Sequence, residues 1–478
     1  MGDIVARVKK ARTRQSRQIR QTTLVLGVCL VVYCLFFVWI TPTAHGNDHY
    51  TDNDVVSSSP NPSRPEYFLR YTSSDTTLNN LSLTEEQCNA VFPGLTKDID
   101  DVVAQGPFIV KQMGDFGPLQ GRIKDGKIYI IHAQRKADLS KEMVNSRTAA
   151  LHQLHRALLT APAPLPDTIF SLNFQDQPFG TAFTYSRAAD PALRSKAPDA
   201  RSFLMPHFSF WAWNLPFVGS MWRAADAIAA LESANYNTPE KWQSGKIAKA
   251  VWRGTAWFNS VNSPQLRQKL LATARGKPWA DVQALDWATG GGGSNKNASN
   301  ALKIEDFCRY KYVVHTEGIT YSGRFQFLQM CASVVLTPPI QWMQHTTHLI
   351  KPLFSSSLDL TSKPNRPWTP SERVRKAWPV QYAPSQANIV FVAPDWSDLE
   401  DTVAWLEAHP QVAEGIARRQ RELFVGGGYF SPAAETCYWR ALLCGWASMA
   451  RPEGGDWVDG KDGELGVPFE TFSLSNGD

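Results

Sequence analysis

Hydrophobic positions along this chain change period repeatedly, from the short apolar runs of strands to the three-and-four spacing of helices. The globular pattern starts near Leu83. Arg122–Ile131, with Asp125-Gly126-Lys127 at its centre, reads as two strands around a hairpin turn. Ser140–Thr160 has helical spacing and stops at the breaker run Ala161-Pro162-Ala163-Pro164. Thr168–Phe174 is then an apolar strand that ends at Gln175-Asp176-Gln177-Pro178. Helices are predicted over Thr238–Lys249 and Gln265–Ala274, with a strand Ala250–Arg253 between them that turns at Gly254. Thr289–Ser294, with four consecutive glycines, reads as a loop without a packing role. Lys311–His315 is a buried strand, and Gly318 a turn. Ser322-Gly323 opens a helix carrying Phe325, Leu328 and Ala332, and Ser333–Leu336 resumes a strand before Pro338-Pro339. Asn388–Val392 is a further strand. Ser397-Asp398-Leu399-Glu400 reads as a capping box. Helices over Gln411–Val425 and Pro432–Met449 precede a loose tail from Arg451. This alternation predicts an α/β protein, most simply two parallel-sheet domains around a cleft.

Before Leu83 the pattern is different. Thr22–Ile40 is an uncharged apolar run of nineteen residues, long enough to cross a bilayer. Seven basic residues and one acidic residue precede it, so the positive-inside bias predicts a cytosolic N-terminus and a luminal remainder. No small-residue cleavage site follows closely, which favours an anchor over a cleaved signal peptide. The short span suits an early-secretory membrane. Residues 1–20 carry a net +6 of the chain's +5, leaving the rest near neutral, and no basic field for nucleic acid remains. Residues 41 to about 75, rich in Ser, Thr, Asp, Asn and Pro, read as a flexible stem. Five cysteines lie beyond the anchor (Cys88, Cys308, Cys331, Cys437, Cys444), enough for one or two disulfides and a free thiol. Their spacing fits no zinc site. Asn80 and Asn297 head glycosylation sequons.

Open α/β sheets bind ligands at the carboxyl ends of their strands. Asp176, Arg253 and Arg324 fall at such places. Arg324 is unusual, because a cation in a helix's first turn opposes the dipole unless an anion offsets it. Two arginines can hold a diphosphate, and a carboxylate can take a proton from a hydroxyl. A turn role for Asp176 and structural ion pairs for the arginines are the plainer readings of each alone. Trp211, Trp213 and Trp222 can stack on a sugar or pack in the core. Asp98-Ile99-Asp100 looks like a metal-binding DxD but precedes any convincing strand.

Several motifs, in order from about Leu83 to Ser448, resemble glycosyltransferase family 90, which contains fungal capsule-associated proteins and the Rumi-type protein O-glucosyltransferases of animals. Leu165–Asp176 is similar to the family's strand ending in Asn-x-x-Asp, and Pro206-His207-Phe208-Ser209-Phe210-Trp211 to its aromatic block. Trp252-Arg253-Gly254-Thr255 resembles its Arg-Gly-Ser/Thr motif. Cys308–Leu336, with Ser322-Gly323-Arg324-Phe325, is the most specific match, and Thr436-Cys437-Tyr438-Trp439 fits as well.

The resemblance implies a GT-B-like pair of Rossmann-type domains facing a central cleft. It implies inverting, metal-independent transfer from a UDP-sugar, with xylose or glucose as the sugar, to a glycan, glycolipid or glycoprotein. Asp176 would be the base. Arg253, Gly254, Thr255, Ser322, Gly323, Arg324 and Phe325 would hold the donor, Trp211 and Trp213 the acceptor, and Cys88 would bridge to Cys437. With the segments read from hydropathy and composition placed ahead of the two domains, the order is a cytosolic tail (1–21), a transmembrane anchor (22–40) and a luminal stem (41–80). An acceptor-side domain (81–222), a nucleotide-sugar domain (223–451) and a loose acidic tail (452–478) follow, giving a type II Golgi or endoplasmic-reticulum protein. Two features depart from the pattern: the long Phe354–Ala387 segment, and His207 where fungal members commonly have an acid. An inactive luminal carbohydrate-binding protein is the alternative. A glycoside hydrolase would need a second carboxylate beside Asp176, and none is evident.

Overall fold

The β-branched and aromatic runs of the chain fall into two six-stranded sheets, in a computed structural model. It describes residues 76–113, 117–194, 200–215, 217–287, 298–360, 368–455, 457 and 466–475. The predicted tail, anchor and most of the stem, the Thr289–Ser294 loop and Asn297 lie outside the described residues. Among the described residues, no helix is long and apolar enough to cross a membrane.

In chain order the strands are β1 (Phe108–Val110), β2 (Leu119–Lys124), β3 (Lys127–His132), β4 (Thr168–Leu172), β5 (Ala182–Thr184), β6 (Arg187–Ala188), β7 (Ser202–Leu204) and β8 (Ile247–Gly254). There follow β9 (Ala280–Ala284), β10 (Tyr310–Val314), β11 (Val334–Thr337), β12 (Trp342–Met343), β13 (Pro352–Phe354), β14 (Ile389–Phe391), β15 (Ala450–Pro452) and β16 (Val467–Pro468). The first sheet has the order β16-β3-β2-β4-β5-β7 and the second β13-β14-β11-β10-β8-β9. Every pairing in the second sheet is parallel. Its central strands are buried along almost their whole length, as a sheet covered on both faces requires. The first sheet is mixed, where two parallel sheets were expected. Its β16–β3, β3–β2 and β2–β4 pairings are antiparallel, and the two-residue β2–β3 hairpin makes the middle one so directly. Asp125 (φ 48°) and Gly126 (φ 72°) supply the left-handed turn this hairpin needs.

Helix ends follow local chemistry where a cap is free to act. Ser140 caps Lys141–Leu159, and Ser431 with Pro432 opens Pro432–Met449. The latter helix returns to the first sheet. Trp446 Nε1 donates to Ile169 O (2.7 Å), Tyr438 Oη to Leu204 O (2.9 Å) and Trp439 Nε1 to Gln153 Oε1 (3.2 Å). Disulfides join Cys88 to Cys437 and Cys308 to Cys331, and Cys444 is free.

Elsewhere tertiary partners override local signals. The expected capping box at Ser397 does not form. The buried Asp398 carboxylate instead accepts from Ser355 Oγ and from Ala393 N (2.8 Å). The helix expected over Thr238–Lys249 ends at Gly245, because the Lys246 ammonium turns inward to Glu232 Oε1 (2.9 Å) and Cys308 O. Ile247–Lys249 then begin β8. The helix after Ser322-Gly323 is a single turn, Phe325–Leu328. Gln420 Nε2 meets the carbonyls of Leu328, Cys331 and Ser333, and Arg421 that of Met330, so side chains satisfy groups a longer helix would have paired. The tail is not all loose. β16 pairs with β3, and the Phe469–Ser475 helix buries Phe469 and Phe472.

Candidate active site

Asp176 sits just past β4 in a turn built by Asn173. Asn173 Oδ1 accepts from Gln175 N (3.0 Å), and its Nδ2 donates to Gln177 O (2.9 Å). The Asp176 carbonyl accepts from Thr320 Oγ1 at 2.6 Å, tying this turn to the loop after β10. Solvent reaches the Asp176 side chain, yet the protein packed around it raises the carboxyl pKa by desolvation. Burial raises the pKa of Tyr185 and Tyr321, and the Asp176 charge adds to it. Among the described residues Asp176 belongs to no ion pair.

The arginines converge at the carboxyl ends of β8 and β10. Four of the five Arg253 N–H groups have protein partners: Nε donates to Asn300 O, Nη1 to Trp252 O and Asp281 O, and Nη2 to Asp281 Oδ1 at 2.8 Å. Arg324 directs Nη1 to the Arg253 carbonyl, and its guanidinium lies 5.3 Å from the Phe307 ring centroid. Its Nε is buried without a partner. Burial, then Arg253, pulls its pKa down to about 10. Arg267 donates from Nη1 to Thr255 O and from Nε and Nη2 to Glu317 O. Burial, then Arg324, lowers it to about 9. His315 follows β10 with its ring on Phe325 (4.4 Å), and its buried Nδ1 has no partner. Burial, then Arg324 and Arg267, holds its pKa at about 3, so it is neutral. Among the described residues, Asp281 is the one carboxylate paired with this trio of arginines. Such a positive, partly unsatisfied cluster is costly unless an anion completes it.

The remaining predicted residues divide. Gly254 and Gly323 are both places where a side chain cannot fit. A Cβ on Gly254 would lie 2.5 Å from the Trp252 ring, and one on Gly323 2.4 Å from His207 Nε2. His207 is buried and oriented by Ser209 N (3.2 Å) and Gln326 Nε2 (3.3 Å) at Nδ1. Thr255 Oγ1 accepts from Trp287 Nε1 (3.2 Å), Ser322 O accepts from Phe325 N (3.0 Å), and Phe325 is buried. Trp213 joins this neighbourhood through His207 (5.2 Å) and Phe327 (6.1 Å). Trp211 does not: its ring stacks on His152 (4.9 Å, 10°) and meets Arg156 (5.2 Å) on the Lys141–Leu159 helix. Asn80, near the start of the described chain, is exposed. Asp98 is in the Lys97–Val103 helix, buried against Arg187 and His348 (3.0 Å).

Sequence reasoning did not single out Arg267 or His315. Arg267 was readable as a charge on the buried face of its helix, beside Leu266 and Leu270. His315 was readable as the polar end of an apolar strand.

A family model described as glycosyl transferase family 90 matches residues 84–355. The O-glucosyltransferase rumi homolog of Anopheles gambiae is 23% identical over 372 residues, 76% of this chain and 79% of its own. O-glucosyltransferase rumi of Drosophila melanogaster is 22% identical over 368 residues, 75% and 77% of the two chains. Protein O-glucosyltransferase 1 of Homo sapiens is 22% identical over 295 residues, 58% of this chain and 62% of its own. With more than half of its length matched, and with every motif that carried the resemblance except Thr436–Trp439 inside that span, the chain belongs to glycosyl transferase family 90.

Proposed function

We propose that this family member is an inverting, metal-independent transferase. It moves a sugar, xylose or glucose, from a UDP-sugar to a hydroxyl of a glycan, glycolipid or glycoprotein in the secretory pathway. The observation that carries the reading is Arg324: a guanidinium with an orphaned, buried Nε beside two more arginines and an unpartnered histidine nitrogen. A diphosphate supplies the missing charge and acceptors. The names of the relatives, O-glucosyltransferases, support the same class of chemistry.

In this mechanism Asp176 removes the proton of the acceptor hydroxyl as the oxygen attacks the anomeric carbon. The bond to the β-phosphate oxygen breaks on the opposite face, and UDP departs with the electron pair. Arg324 stabilises the charge growing on that oxygen, the electrostatic contribution that usually dominates such steps. Arg253 joins by exchanging a carbonyl or Asp281 bond for a phosphate oxygen. Gly254, Thr255, Ser322, Gly323 and Phe325 shape the donor pocket, and Trp213 lies on the acceptor side. The arginines do the charge neutralisation that a divalent ion performs in metal-dependent transferases. The two sheets act as the halves of a GT-B-like arrangement, and residues 22–40 anchor the head on the luminal side of a Golgi or endoplasmic-reticulum membrane.

The test is UDP release from UDP-xylose and UDP-glucose by the purified protein with excess EDTA. Turnover of either supports the proposal. No release from either donor, or release abolished by EDTA and restored by a divalent ion, removes it.

A further inference from the structure

Between β8 and the Leu266–Ala274 helix, residues 254–265 carry no charged side chain. Three large apolar residues of this loop face solvent: Trp257 is 58% exposed, Phe258 49% and Val261 55%. The two rings lie 6.4 Å apart at 49°. The loop that presents them is held on every side. Asn259 Oδ1 accepts from Arg267 N (2.9 Å) while its Nδ2 donates to Ala256 O (3.2 Å). Trp342 Nε1 donates to Ser260 Oγ (3.4 Å), and Gln341 Nε2 to Ser263 Oγ (3.1 Å). Exposed aromatic side chains on a pinned loop gain nothing for the isolated fold, but the ordering entropy of binding is already removed.

The loop is also continuous with the candidate site. It begins at Gly254, immediately after Arg253. Val261 N donates to Ile319 O (3.1 Å), and the next residue, Thr320, holds the Asp176 carbonyl. On its far side Asn262 lines a recess of about 150 Å³ with Pro338, Pro339, Ile340 and Gln341.

We propose that Trp257 and Phe258 form the platform on which a neutral saccharide acceptor stacks, an inference that rests on the transferase reading above. Pyranose rings present apolar C–H faces to aromatic rings and hydroxyls to amides and hydroxyls, and the same loop carries the exposed amides of Asn262 and Gln265. An anionic acceptor would meet no cation on the loop. A bilayer surface is usually met by basic residues beside the aromatic ones, and the loop has none.

Full-length protein in detergent micelles, titrated with maltohexaose, mannohexaose and xylohexaose and read by ligand-observed NMR, tests the platform. The comparison is with the Trp257→Ala/Phe258→Ala double variant, or with Trp257→Leu if the thermal midpoint of the double variant falls. At least one hexaose should bind the wild type, and the variant should bind it about tenfold more weakly. No binding of any hexaose, or equal binding by the variant, overturns the proposal. So does unchanged hexaose binding together with a lost dimer or lost vesicle association, which would give the surface to a second copy or to a bilayer. UDP titration of the wild type separates the failures. UDP binding without hexaose binding sinks the platform alone, whereas no UDP binding removes the transferase reading and the acceptor role with it.

Discussion

Asp176 is positioned by Thr320 at its own carbonyl and by Asn173 at the backbone of Gln175 and Gln177, and among the described residues its carboxyl has no charged partner. Desolvation alone raises its pKa. Protonation of this group therefore stabilises the fold slightly, an effect lost as pH rises from the ordinary Asp value through the raised one. Activity runs the other way, because a base must be ionised. The acid limb of a kcat/KM–pH profile should lie above the value of about 3.9 expected of an unperturbed Asp; a limb at or below it would contradict the assignment. Arg324→Ala should lower kcat/KM for the donor by about tenfold to a hundredfold, the range for a charge-assisted bond. Steady-state kinetics on UDP-sugar hydrolysis would check this, and unchanged values would sink the phosphate role. Asp176, Arg253 and Arg324 were legible because a strand's carboxyl end can be read from a sequence. That Arg253 is consumed by Asp281 and three carbonyls while Arg324 keeps a free Nε was not, since both facts depend on contacts made across the fold.

Strands and helices with their own punctuation matched expectation: the Asp125-Gly126 hairpin, the Ser140-capped helix and the Pro432–Met449 helix. The misread helix ends share one cause, a buried polar group that finds a distant partner. Lys246 is the clearest case, ending a helix so that its ammonium reaches Glu232, Cys308 and Ser333. Glu232 Oε1 also accepts from Ala332 N (2.8 Å), so this pair fixes the one-turn helix and disulfide that precede β11. Lys246→Met would strand a buried carboxylate, and should destabilise the protein by about 3–5 kcal/mol. Denaturant unfolding measures it; a loss below 1 kcal/mol would mean the pair is incidental.

Across the whole molecule the described chain begins against the Pro432–Met449 helix, where Arg440 donates to the Leu81 and Leu83 carbonyls, and ends on the first sheet, while the Cys88–Cys437 disulfide links residues 349 apart in sequence. Cys88→Ser should reduce stability by about 2–5 kcal/mol, seen as a lower unfolding midpoint in denaturant, and an unchanged midpoint would contradict it. The α/β class and the family were both legible, because strand–helix alternation and ordered motifs survive in sequence even where boundaries shift. The pairing of β16 with β3 and the docking of Phe469 and Phe472 there were not, because partners separated by hundreds of residues leave no local signal. The central claim is a carboxylate base working against an arginine-held diphosphate. It is tested most directly by comparing wild type with Asp176→Asn for UDP release from UDP-xylose and UDP-glucose, alongside UDP titration. The account predicts turnover of one donor by the wild type, none by the variant, and UDP affinities within about twofold of each other. Retained turnover in the variant, or a wild type that does not bind UDP, would contradict it.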